Sequence, residues 1–241
     1  IKIIKASKKY KTPLMIGYHR RYSSLVNDVK KIILSKKLGK IVSVNIICWF
    51  YKHKSYFNKK WRIKKGGGPL GINLVHDIDM LCHLLGPIKY VQSFISNKNR
   101  FFNVEDTAVV NLYLKSGVLC SLNISDTIVS PWSYELTSGE NPVYPSTDQN
   151  SYYIGGTKGS LQFPNLKYWY YKKERSWWKN IFHKKINKKK DKISLIKQIN
   201  HFVNVVHGKS KPKVTGLDGL YSLKVYESIL NSAKTGRKIK V

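Results

Sequence analysis

Between residues 88 and 172 the apolar residues recur at every second position, and that run constrains the fold of this 241-residue chain more than any other feature. "IKYVQSFIS", "TAVVNLYLKSGVLCSLNIS", "WSYELTSG", "SYYIGGTKGSLQF" and "LKYWYY" are predicted strands, with "KSG" and "GGTKGS" as hairpin turns. Strands joined by such short turns pair antiparallel. The chain is therefore expected to be α+β, built on one large, mainly antiparallel sheet. The hydrophobic share of 42% is enough to give that sheet a covered core.

The remainder has helical spacing. "SSLVNDVKKIILSKKLG" places Leu25, Val29, Ile32 and Ile33 on one face, with Ser23 and Ser24 as capping candidates and Gly39 as a stop. "INLVHDIDMLCHLLG" is a helix closed by Gly86 and Pro87, and "ISLIKQINHFVNVVHG" and "DGLYSLKVYESILNSAKTG" are two more. "IKIIKASKKYK" is the end of a helix, "TPLMIGY" a short apolar strand with Pro13 at its edge, and "KIVSVNIICWFY" a long strand. The lysine-rich stretch at 173–192 is expected to be a mobile surface excursion.

The formal net charge is +31, a value that points toward polyanions. There are only six arginines, so lysine supplies 38 of the 44 positive charges. Nucleic-acid readers lean on arginine for bidentate and stacking contacts. The accompanying abundance of Asn, Ile and Tyr matches an AT-rich coding bias, so nucleic acid is not the expected partner. The basic aromatic stretch "YWYYKKERSWWKNIFHKKINKKKDK" leaves a nucleic-acid or membrane-surface role open. No apolar run is long enough to span a bilayer. Cys48, Cys82 and Cys120 are scattered in apolar contexts, which fits buried thiols in a reducing cytoplasm.

"KKGGGPLGINLVHDID" contains Gly66, Gly68 and Gly71 in the order G-x-G-x-x-G. A dinucleotide fingerprint requires a buried strand directly before it, whereas the polar "KHKSYFNKKWRIKK" stands here. The glycines are better read as a turn that lets backbone approach something closely at the start of a helix. That helix carries His76, Asp79 and His83 on one face. Three readings stay open: a metal site, a core histidine paired with Asp79, and a general acid–base near neutrality steadied by a carboxylate one turn away.

"IGYHRRYS", "KKLGKIVSV", "WRIKKGGGPLGINLVHDIDMLCHLLG", "VEDTAVV", "SGENPVYPSTDQ", "IGGTKGSL" and "DGLYSLKVYESILNSAKTGRKI" occur in order. Together they resemble the glucose–fructose oxidoreductase/inositol dehydrogenase/MocA family over nearly the whole chain. The resemblance implies an open sheet with helices on one face in residues 19–241, preceded in 1–18 by the last helix and strand of a Rossmann domain. It implies NAD or NADP as cofactor, a sugar, inositol or related polyol as substrate, and a homodimer or homotetramer formed through the open sheet. His76 matches the family's catalytic histidine, which works there with a lysine from a Glu-Lys-Pro loop that this sequence does not contain. Arg20 matches a position beside nicotinamide and substrate, and Trp61 and Arg62 match a pocket-lining pair. No metal is implied. Many members carry an Asp where Ile72 stands here, and Asn73 beside it is the candidate substitute. Without the cofactor-binding part, the chain is expected to bind no cofactor tightly and to turn over no substrate.

Overall fold

The protein, a computed structural model, is described over residues 1–187 and 193–241. Nine strands form one sheet: β1 Ile41–Trp49, β2 Ile88–Ser96, β3 Thr107–Leu114, β4 Leu119–Ser125, β5 Tyr152–Gly156, β6 Gly159–Phe163, β7 Lys167–Tyr170, β8 Phe182–Lys185 and β9 Ile239–Lys240. Their spatial order is β8-β7-β6-β5-β1-β4-β3-β2-β9. Every pairing is antiparallel except β1 with β4, which run parallel from Ser43↔Leu119 to Trp49↔Ser125. The helices are α1 Lys2–Lys9, α2 Ser24–Leu34, α3 Val75–Leu85, α4 Tyr134–Ser138, α5 Ser194–Val206 and α6 Gly216–Thr235.

The period-two pattern does what it predicts. Ala108, Val110, Leu112 and Leu114 of β3 are buried, while Val109, Asn111 and Tyr113 between them are exposed. The buried face, with Val44, Ile46 and Cys48 of β1 and Leu122 and Ile124 of β4, joins Leu74, Ile78 and Met80 of the α3 segment and Val225 and Ile229 of α6 in one core. The other face is mixed. Phe94 faces Val109 and Tyr113 faces Leu119, but Gln92, Asn111, Ser121 and Asn45 make a polar band between those apolar patches.

Several expectations are corrected. "WSYELTSG" is not a strand but α4, because Ser133 accepts the Leu136 amide as an N-cap and Gly139 closes the turn at φ +67°. "TPLMIGY" forms no strand: the Ile16 amide donates to Val214 O, and no ladder develops beside it. Helix α2 starts as expected, with the Ser23 hydroxyl accepting from Val26 N, but ends at Leu34, before Gly39. Within the expected excursion at 173–192, residues 182–185 are ordered as β8 against β7, and 188–192 lie outside the described residues. All three cysteines are free, and burial pushes Cys82 and Cys120 up to about 12.

Candidate functional site

The parallel pairing gathers the ends of several strands at one edge of the core. The C-termini of β1 and β4 lie beside the start of β5, where Tyr152 pairs with Ile46, and beside the start of β3, where Thr107 pairs with Ser125. The segment leading into α3 reaches the same edge. A π-helical turn, Leu70–Leu74, opens that helix, and the Glu105 carboxylate accepts the Leu70 amide at 3.1 Å. A carboxylate at a helix start satisfies an otherwise orphaned amide and complements the helix dipole.

The glycine run is explained by this packing. A Cβ on Gly67 would sit 2.7 Å from Arg62 Cα, one on Gly68 2.7 Å from Glu105 O, and one on Gly71 2.7 Å from Gly66 O. The glycines let loop 61–71 fold against itself and set Trp61 and Arg62 beside the start of α3. The amide a phosphate would seek at this helix start is taken by Glu105, so the run does not fit a pyrophosphate. Gly67→Ala is expected to cost about 1–3 kcal/mol, because the obstructing atoms are backbone. Urea denaturation checks this, and a midpoint equal to wild type would disprove the close-approach reading.

Beneath α3 lies a buried ionic network. Arg20, 2% exposed, holds Asp77 at 2.6 Å and Glu135 at 3.0 Å, and its guanidinium lies 4.2 Å from the Tyr134 ring centroid. The Tyr152 hydroxyl donates to Asp77 Oδ1, and Arg20 donates to Tyr152 at 3.3 Å. Burial opposes the charge on Arg20, but Asp77, Tyr152 and Glu135 outweigh it and raise its pKa. Next to it, Arg21 grips Asp79 at 2.6 Å and reaches Asp218 of α6 at 3.0 Å. Asp79 is thus engaged by arginine, and the sequence expectation of a His76–Asp79 pair is not met.

His76 sits over this network between two rings, Tyr18 at 5.5 Å and His19 at 5.4 Å. Burial, followed by the positive fields of Arg20 and His19, lowers its pKa to about 3. This corrects the expectation of a histidine titrating near neutrality beside a carboxylate: His76 is a neutral imidazole at physiological pH. Its Nδ1 is buried without a partner among the described residues. Arg20, assigned from sequence to the ligand side, is enclosed by protein acceptors, with Nε alone lacking one. Trp61 is 54% exposed. Arg62 stacks 3.8 Å over Tyr56 and donates to Tyr56 O, while the Asn73 Oδ1 is buried and unpartnered. The metal reading of His76, Asp79 and His83 finds no support, since no cluster of three or more metal-binding side chains forms among the described residues.

The sequence gives a cue to one further group that was not singled out. Continuing the buried parity of β1 through 46, 48 and 50 leads to Lys52, which is 5% exposed. Its Nζ has no hydrogen-bond partner, lies 4.9 Å from the Tyr56 ring and stands 3.9 Å from Asp126, a carboxylate that Arg100 Nε holds at 2.6 Å. Burial lowers the Lys52 pKa, with Arg100 and Arg62 adding to the effect against Asp126. Six of the nine buried polar atoms without partners among the described residues belong to Arg20, Lys52, Arg62, Asn73, His76 and Asp77. Native interiors rarely leave such atoms unsatisfied away from functional sites.

The neutral histidines have a consequence for acid stability. His76 stays neutral down to about pH 3, and His83, depressed by burial and by Lys30, Arg21 and Lys213, down to about pH 4. An unfolded histidine takes up its proton near pH 6.5, so folding stability is complete above that pH and falls as pH drops toward the folded values. Asp79 and Glu105, whose pKa values burial raises, pull the other way. The clean quantity is therefore the difference between wild type and His76→Gln. That variant is expected to lose about 2 kcal/mol less than wild type between pH 7 and pH 4.5. Parallel pH profiles would show that His76 is not held neutral.

Residues 30–241 match the oxidoreductase family, C-terminal alpha/beta domain. Among solved structures, the fold is similar to that of the WlbA dehydrogenase from Bordetella pertussis in complex with NADH and UDP-GlcNAcA. The TM-score is 0.75 at 22% identity, over 100% of this chain and 66% of that one. It is also similar to an oxidoreductase from Agrobacterium radiobacter in complex with NAD+, L-tartaric acid and magnesium, with a TM-score of 0.75 at 14% identity over 99% and 68%. The aldose–aldose oxidoreductase from Caulobacter crescentus, complexed with glycerol, gives a TM-score of 0.73 at 21% identity over 99% and 67%. At identities this low the likeness establishes the fold. The chain spans 66% and 65% of the WlbA dehydrogenases of Bordetella pertussis and Chromobactrium violaceum, about two thirds of their length.

Proposed function

The chain belongs to the oxidoreductase family whose C-terminal alpha/beta domain matches residues 30–241, and from that premise we propose that it is the substrate-binding part of an NAD- or NADP-dependent oxidoreductase. The substrate class is a secondary alcohol or ketone on a sugar, inositol or related polyol. The observation that supports this most is the convergence of unpartnered buried polar atoms around the start of α3, with His76 as the available base. The nicotinamide cofactor supplies the hydride acceptor or donor when bound, and the glycine run 66–71 offers its pyrophosphate no cradle, since Glu105 takes the Leu70 amide.

Within this chain, His76, neutral in the empty site, accepts a hydrogen bond from the reacting hydroxyl and takes its proton as hydride leaves in oxidation, passing it on to solvent. Asn73 offers its amide oxygen to a neighbouring hydroxyl in place of the carboxylate that Ile72 lacks. Arg20 acts from below, fixing the helix that carries His76. Trp61 walls the pocket from the loop. The Lys52 ammonium favours substrates that bear a carboxylate or phosphate, because its buried Nζ makes no hydrogen bond and has the Asp126 carboxylate only at 3.9 Å.

Steady-state assays of the full-length enzyme with NAD and NADP, against neutral polyols and their acid counterparts, test the assignment. Turnover with a sugar acid and not with unrelated alcohols is expected, and no turnover with any polyol or sugar would overturn it. The 241-residue chain alone is expected to bind NADH no tighter than millimolar, and micromolar affinity would refute the division of labour. The mixed open face, with Phe94, Val109, Tyr113 and Leu119 exposed, is assigned to self-association as a homodimer or homotetramer.

A further inference from the structure

The far edge of the sheet, away from the site, carries a second surface. Strands β7 and β8 form a hairpin whose connecting loop, 171–181, projects two adjacent tryptophans. Trp177 is 87% and Trp178 83% exposed, and Ile181 beside them is 50% exposed. From 167 to 185 the hairpin contains seven Lys or Arg residues and a single acid, Glu174. All four residues of β8 are exposed. A coding bias toward AT explains lysine and isoleucine, but not paired tryptophan.

The geometry points to an anionic phospholipid surface as the partner, and we propose that this hairpin docks the protein onto one. Tryptophan and isoleucine at a tip suit the boundary between headgroups and acyl chains, and long lysine stems let the ammonium groups remain with lipid phosphates. Lys172, Lys173 and Lys179 line a pocket of about 400 Å³ together with Tyr171, Glu174, Asn180 and Phe182. No described helix is long and apolar enough to cross a membrane, so the contact is peripheral. Single-stranded nucleic acid fits less well. The two indoles meet at 90° with centroids 5.9 Å apart, which breaks a stacking ladder. The hairpin's arginine, Arg175, donates to Thr157 O at 2.6 Å.

Co-sedimentation of the protein with phosphatidylcholine–phosphatidylglycerol vesicles, and with pure phosphatidylcholine vesicles, tests this. Binding to the anionic vesicles is expected to be at least about tenfold tighter and to weaken with salt. Trp177→Ser/Trp178→Ser and Lys172→Glu/Lys173→Glu should each reduce it about tenfold or more at an unchanged melting temperature. Brominated lipids should quench wild-type tryptophan fluorescence more than that of the double-serine variant, which checks insertion without relying on a variant's binding. Equal binding to both vesicle types, or variants that bind like wild type, would refute the proposal. So would an oligonucleotide that binds tighter than vesicles, or an oligomer that dissociates when the tryptophans are removed. None of these readouts involves His76 or turnover, so the outcome is separable from the enzymatic assignment.

Discussion

Arg20→Ala is expected to destabilise the protein by about 3–5 kcal/mol, enough to lower the melting temperature by on the order of 10 °C. Arg20 is enclosed, and its loss strands Asp77, which is 1% exposed and has Tyr152 as its other protein partner. Removing one member of a buried pair leaves an uncompensated charge, and this costs far more than the net worth of the pair. The truncation also opens a void under Tyr134. Arg20→Lys keeps the charge without the fork that reaches Asp77 and Glu135 together, so an intermediate loss is expected. Arg20→Met/Asp77→Leu should lose clearly less than the sum of the single changes. A loss below about 1 kcal/mol for Arg20→Ala in urea denaturation would mean that Asp77 finds water or another partner, and the supporting role assigned to Arg20 would fail.

That network also shows where sequence reading stops. The strands of 88–172 and helices α2, α3, α5 and α6 were legible because burial on one face writes a period into the sequence. The segment 133–139 has the same alternation, but a serine cap and a left-handed glycine made it a helix, so local capping overrode a short pattern. The parallel pairing of β1 with β4 was not legible, because no periodicity specifies a neighbour that lies about 75 residues away. It is this pairing that brings the ends of β1 and β4, and with them Lys52 and Asp126, to one edge. Arg20 meets Asp77 and Tyr152 across 57 and 132 residues, and motif resemblance placed Arg20 near the site without showing that it is enclosed. The glycine run could be rejected as a nucleotide loop from its context, but which backbone atoms approach it emerges only from the fold.

The same enclosure bears on the role proposed for His76. A histidine at its ordinary pKa would be partly charged at neutral pH and a poorer proton acceptor for that fraction. Here burial, with the field of Arg20, holds the imidazole neutral, so its acceptor lone pair is free at neutral pH, although the same lowered pKa makes it a weaker base. In the full-length enzyme His76→Ala is expected to lower kcat by about 10²–10⁴-fold, the usual contribution of a positioned acid–base group. His76→Gln keeps a hydrogen-bonding group of similar reach but accepts no proton, so it should restore substrate KM more than kcat. The pH profile of kcat/KM gives the sharper test. With His76 neutral from about pH 3 upward, wild type should show no acid limb near pH 6.5 that disappears in His76→Gln. If such a limb is present in wild type and absent in the variant, His76 titrates as an ordinary histidine, and the enclosure by Arg20 and His19 does not set its chemistry. If His76→Ala retains wild-type kcat, the proton passes through another group, and Lys52, whose buried Nζ makes no hydrogen bond, is the next to substitute.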